Sequence, residues 1–186
     1  MIISTSTKGL VSKIALGLLA VGGGLMVLAV APGLAMSLKL IDPNPRKAMD
    51  KLERALRRLV ESGDVELESG KTKRYRLTTA GGRKLARLEF AEYALPATKK
   101  VWNGKWRVVC FDIPETEQYV RKLFQTKLSE LKFYRLQNSV FVYPYPCTEL
   151  LALTHKAFEL QKHVRIIKAE SIDNETTLLN FFHLKR

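Results

Sequence analysis

Four cations, Lys47, Lys51, Arg54 and Arg58, recur at i, i+4, i+7 and i+11, a spacing that draws one charged line along a helix. Arg46 adjoins that line, and Lys71, Lys73, Arg74 and Arg76 form a second cluster soon after it. Side chains of this kind act by neutralising phosphates and releasing the counterions condensed on a polyanion. Asp112 stands apart, a lone carboxylate between the apolar run RVVCF and a proline turn. That place suits a turn or cap residue accepting backbone N–H bonds. No second carboxylate at useful spacing accompanies it, and Glu115 and Glu117 fit the start of a helix instead. No nucleophile–base pair and no phosphate-cradling glycine loop is visible. His155, His163 and His183 lack metal-ligand spacing, and neither Cys110 nor Cys147 sits in a CxxC pair, which argues against a structural zinc site.

Composition agrees with a polyanion as partner. The 186 residues carry 31 Lys and Arg against 18 Asp and Glu, a net charge of +13, and 46% apolar residues mark a folded chain. Charge alone does not separate nucleic acid from an anionic membrane. Two cysteines in or beside expected strands indicate reduced thiols and a cytoplasmic setting.

The elements that must position these residues begin with an apolar segment, 1–41. Its run from Ile14 to Leu38 bears no charge and exceeds the roughly 20 residues that span a bilayer. More Lys and Arg follow the run than precede it, which orients such a span with the bulk of the chain in the cytoplasm, anchored at the inner face of the membrane. Gly22, Gly23 and Gly24 in its middle and Pro32-Gly33 near its end fit a second reading, two packed helices opening the next domain. Both readings stand at this point.

Asp42-Pro43-Asn44-Pro45 ends one helix and starts another, with Asn44 as N-cap and Pro45 at the first helical position. The helix is expected over 46–62, its stripe made by Met49, Leu52, Leu56, Leu59 and Val60, with the cationic line on the opposite surface. Gly63 closes it. Val65 to Glu68 alternates as a strand, Ser69-Gly70-Lys71 turns, and a return strand points Tyr75 and Leu77 inward and Arg74 and Arg76 outward. Thr78 or Thr79 caps a further helix. Basic helix followed by basic hairpin describes a winged helix-turn-helix over 42–93, with a recognition helix for the major groove and a wing for flanking phosphates.

A linker over 94–101 leads to a second pattern. Arg107 to Phe111 is an inner strand, Asp112 to Glu115 turns into a helix with Thr116 as cap, 133–136 and 139–143 are short strands, 147–161 is a helix and 164–169 a last strand. The order βαββαβ over 102–173 is the ferredoxin-like plan, an antiparallel sheet with both helices on one face. Trp102 and Trp106, flanking the first strand, fit core and interface packing better than base stacking. The apolar tail 174–186 is too short to fold alone and is expected to dock on the sheet or on a dimer mate. The fold class is therefore α+β.

W-x-G-x-W before a strand ending F-D-I-P-E, then R-K-L-F-x-x-x-L, then L-Q-N-S-V-F-V-Y-P, resembles the central domain of the phenylacetate-catabolism repressor (PaaX) family. That domain is similar to the small ferredoxin-like endonuclease subunit of CRISPR adaptation. The resemblance implies a repressor-like transcriptional regulator that binds double-stranded DNA and forms a homodimer through its ferredoxin-like domain. Arg46, Lys47, Lys51, Arg54, Arg58, Lys71, Lys73, Arg74 and Arg76 are the expected DNA contacts. The resemblance does not extend to the extra C-terminal domain of full-length repressors, so acyl-CoA sensing is not expected to carry over. The nuclease side of the resemblance implies an alternative, a metal-dependent endonuclease or CRISPR adaptation subunit. There Asp112, paired across a dimer, would hold Mg²⁺ and activate water. No other cofactor is expected.

Overall fold

The computed structural model describes residues 7–21, 25–27, 34–68, 73–95 and 101–185, in two compact units, Met1–Glu89 and Phe90–Arg186. The chain is mixed α and β, with two antiparallel sheets.

The first unit runs α1 (Thr7–Val21), β1 (Leu25–Val27), α2 (Leu34–Ile41), α3 (Pro45–Glu61), β2 (Val65–Glu68), β3 (Arg74–Leu77) and α4 (Thr79–Glu92). Its sheet has the order β1-β3-β2. The span expected over 14–38 is overturned. Ile14 to Val21 ends α1, Leu25 to Val27 pairs with β3, and Leu34 opens α2. Among the described residues no helix is long and apolar enough to cross a membrane. The greasy side chains are spent on a protein core, in which Val11, Ala15, Leu16 and Leu19 pack with Leu52, Leu56 and Leu59 of α3. Gly22, Gly23, Gly24 and Ala31-Pro32-Gly33 lie outside the described residues, as does the turn Ser69-Gly70-Lys71.

The local chemistry of α3 follows the sequence closely. Asn44 Oδ1 accepts from the backbone N–H of Arg46 at 3.0 Å and of Lys47 at 3.3 Å, and Pro45 occupies the first turn. Beyond α3, Gly63 takes φ +74°, a conformation side chains disfavour. Asp64, buried at 7% exposure, then ties two turns together. Its carbonyl accepts from Thr78 N–H at 3.1 Å and Thr78 Oγ1 at 2.9 Å, while its carboxylate accepts from Ser62 Oγ at 2.6 Å and pairs with Lys84. Thr78 Oγ1 in turn accepts from Gly81 N–H at 3.0 Å, so Thr78 is the cap that starts α4. The chains approach so closely here that a Cβ on Gly81 would lie 2.0 Å from the Asp64 carbonyl oxygen. Only glycine fits that position.

The second unit runs β4 (Trp106–Phe111), a 3-10 turn (Glu115–Glu117), α5 (Gln118–Glu130), β5 (Tyr134–Gln137), β6 (Val140–Tyr143), α6 (Thr148–Phe158), β7 (Val164–Ala169) and α7 (Glu175–Phe182). The sheet order is β5-β6-β4-β7, every neighbour antiparallel, with Val108 facing Val142 on one side and Ile167 on the other. Phe111 of β4 stacks on Phe141 and meets Phe124 of α5 edge-on at 5.2 Å, building the core under the helices. Thr116 does not cap α5. Glu117 N–H bonds to the Pro114 carbonyl at 2.9 Å, which winds Glu115–Glu117 into the 3-10 turn and moves the helix start to Gln118.

The tail docks on the sheet as α7. Leu178 is buried against Trp106 and Val142, Phe182 lies 5.9 Å from the Trp106 ring, and Trp106 Nε1 donates to Glu175 Oε1 at 2.6 Å. Trp106 is fully buried and Trp102 packs beside it at 4.8 Å, so both indoles serve the core.

Candidate nucleic-acid interface

Helix α3 buries Ala48, Leu52, Ala55, Leu56 and Leu59, half-buries Met49, Lys51 and Val60, and exposes the rest. At about 100° per residue, Lys47, Lys51, Arg54 and Arg58 fall on one flank of the exposed surface. Arg46 and Arg57 fall on the other flank, together with Glu53. The first flank looks toward α1, where Lys51, Arg54 and Arg58 line a cavity with Lys8 and Val11. The other looks toward the hairpin: burial raises the Tyr75 phenol above its ordinary value, Glu53 adds to that rise, and Arg57 opposes it.

The cations differ in how far their charge is already answered. Lys51 Nζ reaches Asp42 Oδ2 at 2.6 Å, and Asp42 Oδ1 accepts from Asn44 N–H at 2.9 Å. The Lys51 hydrogen bond first, and then the Asn44 N–H, hold the Asp42 carboxyl below the usual carboxylate value. Lys8, Lys47, Arg54 and Arg58 have no carboxylate partner among the described residues. Their ammonium and guanidinium groups are available to an external anion.

The hairpin is closer to neutral than its sequence suggests. Glu66 lies directly across from Arg76 and Glu68 from Arg74 in the β2–β3 register, and Arg76 forms an ion pair with Glu68. Because β strands alternate, these four side chains share the exposed face, so two carboxylates offset two guanidinium groups there. Lys73 is exposed at the foot of β3, and Lys71 lies outside the described residues. The structure thus gathers Lys51, Arg54 and Arg58 around one cavity, keeps Arg46 and Lys47 exposed at the start of α3, and balances Arg74 and Arg76 with glutamates. Lys8 joins them at that cavity with no local mark in the sequence, since its place there depends on α1 packing against α3.

Asp112 occupies a different setting. Its N–H donates to the His163 carbonyl at 2.8 Å, and its own carbonyl lies 2.8 Å from His163 Nδ1. This backbone clasp joins the end of β4 to the start of β7. The carboxylate itself is exposed and has no hydrogen-bond partner among the described residues. No group of three or more His, Cys, Asp or Glu is placed to hold a metal ion among those residues.

In comparison with known families, residues 99–179 fit the model of the PaaX protein central Cas2-like domain. No curated protein matches the chain. The match covers the sheet, α5, α6 and most of α7, and leaves α3 and the hairpin to be judged on their own geometry.

Proposed function

We propose that this chain, carrying a PaaX-type central domain at 99–179, is a DNA-binding transcriptional regulator of the repressor-like kind, with double-stranded DNA held by its first unit. The observation that carries the reading is the free charge of α3: the side chains of Arg54, Arg58 and Lys47 project from a helix whose cap and core stripe are satisfied without them. The order α1-β1-α2-α3-β2-β3 with sheet order β1-β3-β2 supports a winged helix-turn-helix, α3 being the recognition helix and β2–β3 the wing. The sheet order of the second unit, together with its βαββαβ sequence of elements, supports a ferredoxin-like plan.

Arg46, Lys47, Arg54 and Arg58 carry most of the phosphate contacts in this reading. Lys51, Lys73, Arg74 and Arg76 are secondary, because Asp42, Glu66 and Glu68 already offset three of them. Homodimerisation is assigned to the second unit, as the likeness of its domain to the Cas2-like family suggests. The test is the affinity for duplex DNA across a salt series. Steep loss of binding with salt is expected from counterion release, and no measurable binding at low salt would end the proposal.

The exposed, unpartnered carboxylate of Asp112 inside a Cas2-like domain favours one second reading, a Mg²⁺-dependent nuclease. A single carboxylate is a poor Mg²⁺ site, so a partner's residues would have to complete it. Cleavage of DNA or RNA that requires Mg²⁺ and disappears in Asp112→Ala would establish this activity, and inert nucleic acid under those conditions would dismiss it.

A further inference from the structure

Among the described residues, the cavity between α1 and α3 is lined by four cations, Lys8, Lys51, Arg54 and Arg58, and by Val11. At about 410 Å³ it is more than an order of magnitude larger than the ~10–15 Å³ that admits one water. Lys51 alone among these cations has a carboxylate partner among the described residues. Cations gathered around one space repel each other, and an anion placed among them relieves that repulsion. Helix α1 begins at Thr7 with no acidic residue in its first turn, so the positive end of its dipole adds to the same field.

We infer that this cleft is a phosphate-binding pocket in which Lys8 joins Lys51, Arg54 and Arg58 around one phosphate group. Two guanidinium forks one helical turn apart supply directional donors, and two ammonium groups supply mobile point charges. The phosphate has two sources, a DNA backbone crossing between α1 and α3 or a free phosphoanion. A free phosphoanion would compete with DNA, since Arg54 and Arg58 serve both. For its DNA source the inference rests on the regulator reading above.

Fluorescence anisotropy of a labelled random-sequence duplex, with wild type, Lys8→Ala, Lys8→Arg and Lys162→Ala over a salt series, tests it. Lys162 is exposed in the second unit and controls for the loss of one positive charge. The slope of log K against log salt is expected to fall by about 1 in Lys8→Ala and to persist in Lys8→Arg and Lys162→Ala. In a second arm, inorganic pyrophosphate is titrated at constant ionic strength against the protein–DNA complex and, by calorimetry, against the free full chain. Displacement and calorimetric binding that vanish in Lys8→Ala support a pocket open to free phosphoanions. No displacement with the slope change intact supports a backbone phosphate as occupant. An unchanged slope together with no pyrophosphate binding overturns the pocket. The regulator reading would survive that result as long as wild type binds DNA, and absence of DNA binding with Lys8-dependent pyrophosphate binding would remove that reading and leave the pocket.

Discussion

Adjacent glycines at the start of α4 should respond to alanine with opposite signs. A Cβ at position 81 would lie 2.0 Å from the Asp64 carbonyl oxygen and 2.8 Å from Leu77 Cδ1, whereas a Cβ at position 82 meets nothing within 4 Å. Carbon–oxygen contacts settle at about 3.3–3.6 Å, so the Asp64 carbonyl would have to retreat by more than an ångström. It also accepts the Thr78 N–H and Thr78 Oγ1 bonds that join the α3–β2 turn to the start of α4. Overpacking of this kind costs about 1–3 kcal/mol, against a helix-propensity gain of at most about 1 kcal/mol. Weakening one of the two Thr78 bonds adds about 1 kcal/mol to the cost. Gly81→Ala should therefore lose about 1–3 kcal/mol, while Gly82→Ala should gain up to about 1 kcal/mol. Urea unfolding followed by far-UV circular dichroism reads the difference. Tryptophan fluorescence would not, because Trp102 and Trp106 both belong to the second unit. Equal stabilities for the two variants would refute the close approach of Gly81 to Asp64.

Three further outcomes follow from the packing and charges. Removing the acceptor of the Trp106 indole by Glu175→Ala should cost about 1–3 kcal/mol, because a buried N–H is left without its partner, and urea unfolding monitored by tryptophan fluorescence reports it. The Asp42 carboxyl is held below its ordinary 3.8, so its contribution to stability is fully present above that pH and is lost as pH falls through the lowered value. Asp42→Asn should accordingly be less stable than wild type at pH 7 and equal to it in strong acid, and a difference that persists in acid would contradict the Lys51 pairing. Burial raises the Cys110 thiol and Cys147 is enclosed, so both should react slowly with a thiol reagent in the folded chain and fast in urea.

How much of this was legible in the sequence depended on whether the cause was local. Asn44, Pro45 and Gly63 act on their own turns, and the helix and hairpin they delimit appear where those residues place them. The run from Ile14 to Leu38 was ambiguous because hydropathy measures how much surface must leave water and not what will cover it. Packing of Val11, Ala15, Leu16 and Leu19 on α3 answers that question, and the pairing of Leu25–Val27 with β3 breaks the run into separate elements. The balance of Arg74 and Arg76 by Glu68 and Glu66 was present in the sequence, since the hairpin register sets those four residues opposite one another. Thr116 failed as a cap because Pro114 favours a 3-10 turn first. The Trp106–Glu175 bond joins residues 69 positions apart, and Lys8 meets Arg54 and Arg58 only after α1 folds back on α3, so neither had any sequence signal.

The central claim is that the free guanidinium groups of α3 hold DNA phosphates. Its most direct measurement is the slope of log K against log salt for duplex DNA, compared between wild type and Arg54→Ala/Arg58→Ala. Each phosphate contact contributes about 0.9 to that slope, so the double variant should be shallower by about 2 and should bind more weakly at low salt. Equal slopes and equal affinities for the two proteins would contradict the account.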